Sequence, residues 1–229
     1  MDIIGRRFKE YESVFQYKLP TKSAVIIRVD GQAFHTFTKN CQRPFDVDLV
    51  NSMRYAADET RKRMMGCKLV YVASDEASFY LTDTDNLETQ AWFGNNLSKV
   101  VSIAASTFTA HFNHIYTEGK EESYTNVEVS TATFDARAFV VPFDDVPNYF
   151  LWRQKDWTKN SLSMLCREYY SHNELIGKSQ SEQHELLYKV DVNWNDLSSV
   201  LKNGTYILND GTFRSNILPI YEVIRYLIQ

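Results

Sequence analysis

The chain has 229 residues, 44% apolar and 24% charged, ordinary globular usage that excludes wholesale disorder and suits one domain or a core with an appendage. Its net charge is −4, yet residues 1–70 hold 13 Lys and Arg against 8 Asp and Glu, while the remainder holds 12 against 21. A nucleic-acid partner would therefore have to meet a local basic patch, because the bulk field is acidic.

The predicted elements follow in chain order. The opening segment lacks an apolar signal core, and no run approaches the ~18 apolar residues of a membrane span, which predicts a soluble cytoplasmic protein without membrane contact. Cys41, Cys67 and Cys166 are an odd set without C-x-x-C spacing, so no disulfide framework or zinc site is expected and a reducing compartment is. Val25-Ile26-Ile27-Arg28-Val29 reads as a buried strand closed by Asp30-Gly31. Apolar residues recur at helical spacing from Asp46 to Met65, with Asp46 and Asp48 at the positive end of that helix. Residues 69–72 and 78–81 read as strands joined by a tight turn at Ser74-Asp75-Glu76. A helix is predicted from about Glu88 to Phe112 with Gly94 as a weak point, then a strand over 133–140 ended by Pro142. Beyond it, two helices meeting near Asp156 are expected, then a helical or irregular tail from Ser179 with a late strand near 205–208.

Strand, helix, strand, turn, strand, helix, strand is the α+β, ferredoxin-like βαββαβ arrangement, here with additional C-terminal helices. This predicts a catalytic core over 1–142 and an extension over 143–229 packed on it, one domain in all. In that sheet the third strand runs between the first two. Asp30, at the end of strand one, then meets Asp75 and Glu76 at one sheet edge. Either aspartate alone is explained by turn chemistry. Together they are the hard-oxygen set that two magnesium ions need for in-line phosphoryl displacement. Gly31 allows a close turn, and the amides of Gln32, Ala33, Phe34 and His35 would face a triphosphate as an anion nest.

Ile27-Arg28-Val29-Asp30-Gly31-Gln32-Ala33-Phe34-His35, Arg43-Pro44-Phe45-Asp46 and Tyr71-Val72-Ala73-Ser74-Asp75-Glu76-Ala77-Ser78-Phe79 together resemble the tRNA(His) guanylyltransferase superfamily. Phe134-Asp135-Ala136-Arg137, Tyr149-Phe150-Leu151-Trp152-Arg153-Gln154 and Lys159-Asn160-Ser161 extend the resemblance, which is greatest to the guanylyltransferase-like branch. It implies a polymerase-palm core that adds nucleotides to the 5′ end of tRNA in the 3′-to-5′ direction, and a homotetramer. By resemblance, Asp30, Asp75 and the Gly31 carbonyl hold two Mg²⁺ ions, with Glu76 an acidic neighbour of open role. Arg28, Gly31, Gln32, Ala33, Phe34, His35, Arg43, Asp46 and Ser74 would serve ATP or GTP, and Lys99, Arg137, Arg153 and Asn160 the RNA. ATP would activate a 5′-monophosphate end before GTP or another nucleotide is joined.

Two departures bear on specificity. Thr158-Lys159-Asn160-Ser161 stands where tRNA(His)-specific members carry His-Ile-Asn-Asn, which favours templated repair of 5′-truncated tRNA over guanylate addition to tRNA(His) alone. Arg43 replaces a common lysine, keeping charge and changing geometry. A nucleotidyl cyclase or 5′-to-3′ polymerase palm shares two carboxylates on a similar sheet and remains an alternative. An RNA-recognition module shares the strand order but needs exposed aromatics that strand one lacks. His35 reads alternatively as a core histidine, Trp152 as packing, and Arg61-Lys62-Arg63 as a solvated helix face.

Overall fold

The computed structural model of the chain describes residues 2–121 and 131–228. Six strands form one antiparallel sheet: β1 (Ala24–Gly31), β2 (Cys67–Ala73), β3 (Glu76–Leu81), β4 (Phe134–Val141), β5 (Thr205–Leu208) and β6 (Phe213–Arg214). Their order is β4-β1-β3-β2-β5-β6, so β3 lies between β1 and β2. Side chains alternate across a strand, and β1 uses both faces. Val25, Ile27 and Val29 enter one core with Met53, Ala56 and Ala57 of α3 (Val47–Arg61) and Ala104, Phe108 and Phe112 of α4 (Leu97–Glu121). Ala24 and Ile26 enter the opposite core with Tyr149 and Phe150 of α5 (Val146–Cys166) and Ile224 of α9 (Tyr221–Ile228). Arg28 and Asp30 continue that second face toward the end of β1, where apolar packing gives way to charge.

The remaining helices are short or peripheral: α1 (Ile3–Ser13), α2 (Phe34–Phe37), α6 (His172–Leu175), α7 (Gln180–Tyr188) and α8 (Ser199–Asn203). No element was expected over α1. Its amphipathic residues Ile4, Phe8 and Tyr11 are exposed, and none of its side chains is buried. The expected late strand is β5, which pairs with β2 and widens the sheet.

Three predicted elements change. The helix expected from Glu88 begins at Leu97 instead, because Phe93 and Gly94 take left-handed backbone angles and Asn96 accepts the Lys99 amide (3.1 Å) to start a new helix. The helix expected from Asp46 starts one residue later. Asp46 is its cap, accepting from the Leu49 amide at 2.9 Å. Val146–Cys166 is one helix, not two meeting near Asp156. After its opening Pro147 the segment has no Pro or Gly to break it, and Asp156 pairs one turn back with Arg153.

A capping box starts α7: the Glu182 carboxylate accepts from the Ser179 amide and hydroxyl, both at 2.8 Å. These bonds, with Lys178, hold the carboxyl down at about 2. A depressed carboxyl stabilises the fold above its unfolded value of 4.5 and loses that effect as pH falls toward 2. Glu182→Gln is therefore expected to lower Tm at neutral pH, with the gap to wild type narrowing on acidification; a pH series of thermal melts checks it.

Candidate active site

β2 and β3 are joined by two residues, Ser74 and Asp75, since Ala73 is paired with Glu76. The Asp75 carbonyl accepts the Gly31 amide at 3.0 Å, which stitches the hairpin tip to the end of β1. Asp30 is in register with Glu76 on β3 and with Asp135 on β4. Ser74 sits at φ 54, a left-handed conformation that costs a non-glycine residue about 1 kcal/mol. Its hydroxyl bonds the Asp75 carboxylate. Burial pushes the Asp75 carboxyl up and the Asp30 charge adds to this, against the Ser74 bond. Among the described residues no cation is ion-paired to Asp75.

Gly31, followed at once by the turn at Gln32 and Ala33, also leaves room for a side chain. A Cβ there would lie 2.7 Å from Phe34 Cγ, because the Phe34 ring folds back over the strand end. That ring packs on Phe37, Phe112 and Phe134. Gly31→Ala is expected to destabilise the fold by about 1–3 kcal/mol through forced repacking, measurable by urea denaturation. The anion nest also needs correction. The Gly31 amide is bound to Asp75 and the Gln32 amide to the Thr133 carbonyl (2.9 Å), because the strand ladder continues past the turn. The Gln32 side chain accepts from Thr133 as well. What is left are the amides of Ala33, Phe34 and His35, which open α2 and have no partner within its first turn.

Glu76 is held by a bidentate pair with Arg153, Nε to Oε1 at 2.8 Å and Nη2 to Oε2 at 2.7 Å. The Arg28 Nε lies 3.8 Å from the same carboxylate and makes no hydrogen bond. Burial pushes the Glu76 carboxyl up, opposed by Arg153 and Arg28. Arg137, on β4, approaches Asp30 (3.8 Å) and Asp135 (3.4 Å).

Two clefts meet at Ser74 and Asp75. The smaller, about 230 Å³, is polar and is lined by Asp30, Asp75, Glu76, Arg153, Asp156 and Asn160. The larger, about 460 Å³, has an apolar wall of Phe34, Phe45, Leu49, Val50, Trp157 and Met164 and a cationic rim of Lys39, Arg43 and Arg167, with His35 and Asp46 beside them. An apolar lining with three cations, reaching the Asp75 carboxylate, suits a flat base carrying a polyphosphate.

A family model for tRNAHis guanylyltransferase matches residues 5–142 of this chain. The chain belongs to the tRNA(His) guanylyltransferase family. It is accordingly an enzyme of the nucleotidyltransferase class. A tRNA(His) guanylyltransferase of Debaryomyces hansenii is 30% identical over 202 residues, covering 81% of this chain and 73% of the relative. A bacterial guanylyltransferase-like protein solved in complex with ATP superposes with a TM-score of 0.90 at 39% identity, over 99% of this chain and 100% of that one. Another, in complex with GTP, superposes with a TM-score of 0.80 at 38% identity, over 100% of this chain and 98% of that one.

On this guanylyltransferase-family chain, the residues singled out from sequence separate into three groups. Asp30, Asp75, Glu76, Arg153 and Asn160 line the polar cleft, with Ser74 shared. Phe34, His35, Arg43 and Asp46 line the apolar one; His35 is exposed and so is no core histidine. Both Asp46 oxygens are engaged, by Leu49 and Gln42, so its carboxylate orders the cleft wall. Arg28, Gly31, Gln32, Ala33, Lys99 and Arg137 line neither cleft: Arg28 lies under Glu76, Arg137 approaches Asp30 from β4, and Lys99 is exposed near the start of α4. Thr158 gives its hydroxyl to the Gln154 carbonyl at 3.0 Å within α5. Arg61 is tied to Asp58 and to the Asn209 carbonyl, and Lys62 to Asp58 and Glu59. Trp152, expected to pack, meets the Tyr149 ring edge-on with centroids 5.9 Å apart, yet is 54% exposed with Arg153 stacked on its ring at 4.6 Å.

Sequence reasoning missed Lys39, Arg167, Phe45 and Trp157. The first two are surface cations without a motif. Trp157 is 7% exposed, and its indole N–H has no acceptor among the described residues, a burial that costs about 1–3 kcal/mol. Its place five residues after the Trp152-Arg153 pair was the available signal, one turn and a half along the same helix.

No group of three or more His, Cys, Asp or Glu converges in metal-holding geometry among the described residues. The donor set is instead two carboxylates, one of them half-buried without a cation. That fits a hard divalent ion whose shell is completed by water and phosphate. No helix among the described residues is long and apolar enough to cross a membrane.

Proposed function

We propose that this chain joins nucleotides to the 5′ end of tRNA in the 3′-to-5′ direction, as template-dependent repair of 5′-truncated tRNA. The observation that carries the reading is Asp75, which lines both the larger cleft and the smaller one that holds Asp30, Arg153 and Asn160. The named complexes of the related bacterial proteins with ATP and GTP support both triphosphates as substrates here. The strand order β4-β1-β3-β2 supports a ferredoxin-like, polymerase-palm core over 1–142, with 143–229 as an extension packed on it.

Two displacements at phosphorus make up the reaction. A 5′-phosphate oxygen of the RNA attacks the α-phosphorus of ATP, and pyrophosphate leaves. The 3′-hydroxyl of GTP, or of another nucleotide, then attacks the RNA 5′-phosphorus; a phosphodiester forms and AMP departs. Most of the acceleration in such reactions comes from positioning and charge neutralisation. Asp30 and Asp75, with the Gly31 carbonyl, would hold two magnesium ions. Bound there, magnesium supplies charge neutralisation at the phosphates and acidification of the attacking hydroxyl. The chain itself contributes Lys39, Arg43 and Arg167 against the triphosphate and Arg153, with Asn160, toward the RNA end. Glu76 keeps the Arg153 guanidinium in place.

Assembly as a homotetramer accords with the exposed apolar side of α1 and would let basic surface from several copies share one RNA. Three free cysteines accord with a reducing compartment. The names of the curated relatives favour a second reading, guanylate addition to tRNA(His) alone. Two tRNA transcripts lacking nucleotide 1, identical except for the base opposite the gap, separate the readings. Repair predicts that the added nucleotide follows the opposing base. Addition of G to both, or to tRNA(His) only, would favour the second.

A further inference from the structure

Ser74, Asp75 and Trp157 are the three residues that line both clefts, and of these only Trp157 is aromatic, 7% exposed at the cleft wall. Its indole meets Phe45 edge-on, with ring centroids 6.5 Å apart, and lines the same cleft as Lys39, Arg43 and Arg167. A residue serving bulk alone would not need an indole N–H, and this one finds no acceptor among the described residues. Aromatic faces bind any base, because every base presents a π surface, whereas the phosphates require the cations of the rim.

We propose that Trp157 is a positioning residue of the nucleotide cleft, against which the base of the bound triphosphate rests. The inference depends on the larger cleft being the nucleotide site, as read above. It sets the base on one side of the indole and the Asp30–Asp75 pair on the other. Loss of the indole therefore weakens nucleotide binding more than it slows the bound nucleotide. The same surface serves purines without reading their edges, so ATP and GTP lose affinity together.

The test uses the full chain with GTP and, separately, ATP, measuring binding by calorimetry and by tryptophan fluorescence. In the wild type, nucleotide is expected to quench part of the emission. In Trp157→Phe the quench disappears although Trp92, Trp152 and Trp194 remain, and Kd rises severalfold. In Trp157→Leu, Kd rises about tenfold or more, with KM following it and kcat within about threefold of wild type. A purely structural tryptophan would lower Tm in both variants and leave Kd and the quench unchanged in Trp157→Phe. Calorimetric binding in the wild type with equal Kd in both variants overturns this proposal and spares the nucleotide cleft. No calorimetric binding of either triphosphate to the wild type overturns both.

Discussion

Asp75→Asn is expected to reduce nucleotide addition at least about a thousandfold while making the folded chain harder to unfold. The first part follows from its place in the donor set, since charge stabilisation at transferring phosphorus contributes several kcal/mol. The second follows from burial and the neighbouring Asp30 charge, which together hold the Asp75 carboxyl above its ordinary range. For a carboxyl raised on folding, the protonated form favours the native state, and the advantage disappears as pH rises through the folded value. Asparagine removes the charge permanently. Without divalent ions, chemical denaturation at neutral pH should therefore place the midpoint of Asp75→Asn above wild type. Magnesium titration should raise the wild-type midpoint and leave that of the variant in place. Asp30→Ala is expected to lose activity to the same degree with a smaller change in stability, because Asp30 is more open to solvent and faces Arg137.

The second large effect is at Glu76. Glu76→Ala strips a bidentate partner from Arg153, whose side chain is 17% exposed, and leaves Arg28 without a carboxylate as well. Breaking one side of a buried pair costs about 3–5 kcal/mol, and Asp156, 3.4 Å from Arg153, keeps the loss near the lower bound. Glu76→Gln retains the shape with a weaker acceptor and is expected to cost less. Arg153→Lys loses the two-pronged geometry and is not conservative here. A double-mutant cycle over Glu76→Gln and Arg153→Lys, read by urea denaturation, should show coupling of about 1 kcal/mol or more. Additivity would show that the pair contributes nothing beyond two separate side chains. The same cycle in steady-state kinetics should raise KM for the tRNA more than KM for GTP.

The strand and hairpin that carry Asp30, Asp75 and Glu76 were legible because their signals are local. A β-branched run ends at Asp30-Gly31, and a turn cluster at Ser74-Asp75-Glu76 divides two apolar runs, so period-two alternation and turn residues suffice to place both. The meeting of the two at one edge followed from strand order alone. Contacts between distant segments were not legible. The Gln32 amide is taken by Thr133, about a hundred residues away, which no nest geometry on the local sequence reveals. Glu76 and Arg153 are 77 residues apart, so a metal ligand and a structural anchor look alike until α5 is placed against the sheet. Trp157 was overlooked for the same reason, since its role depends on which clefts α5 borders. The break expected near Asp156 is absent, because a carboxylate one turn from an arginine supports a continuous helix. At Gly31 the turn was legible, and the packing of Phe34 into the space it leaves was not.

The most direct measurement is the end at which a nucleotide is joined. A 5′-monophosphorylated tRNA lacking its first nucleotide, labelled at the 3′ end, would be incubated with ATP, GTP and magnesium, using wild type and Asp75→Asn. Growth by one templated nucleotide at the 5′ end in the wild type, absent in the variant, is the predicted result. Growth at the 3′ end, or cyclic nucleotide formed without RNA growth, would contradict it.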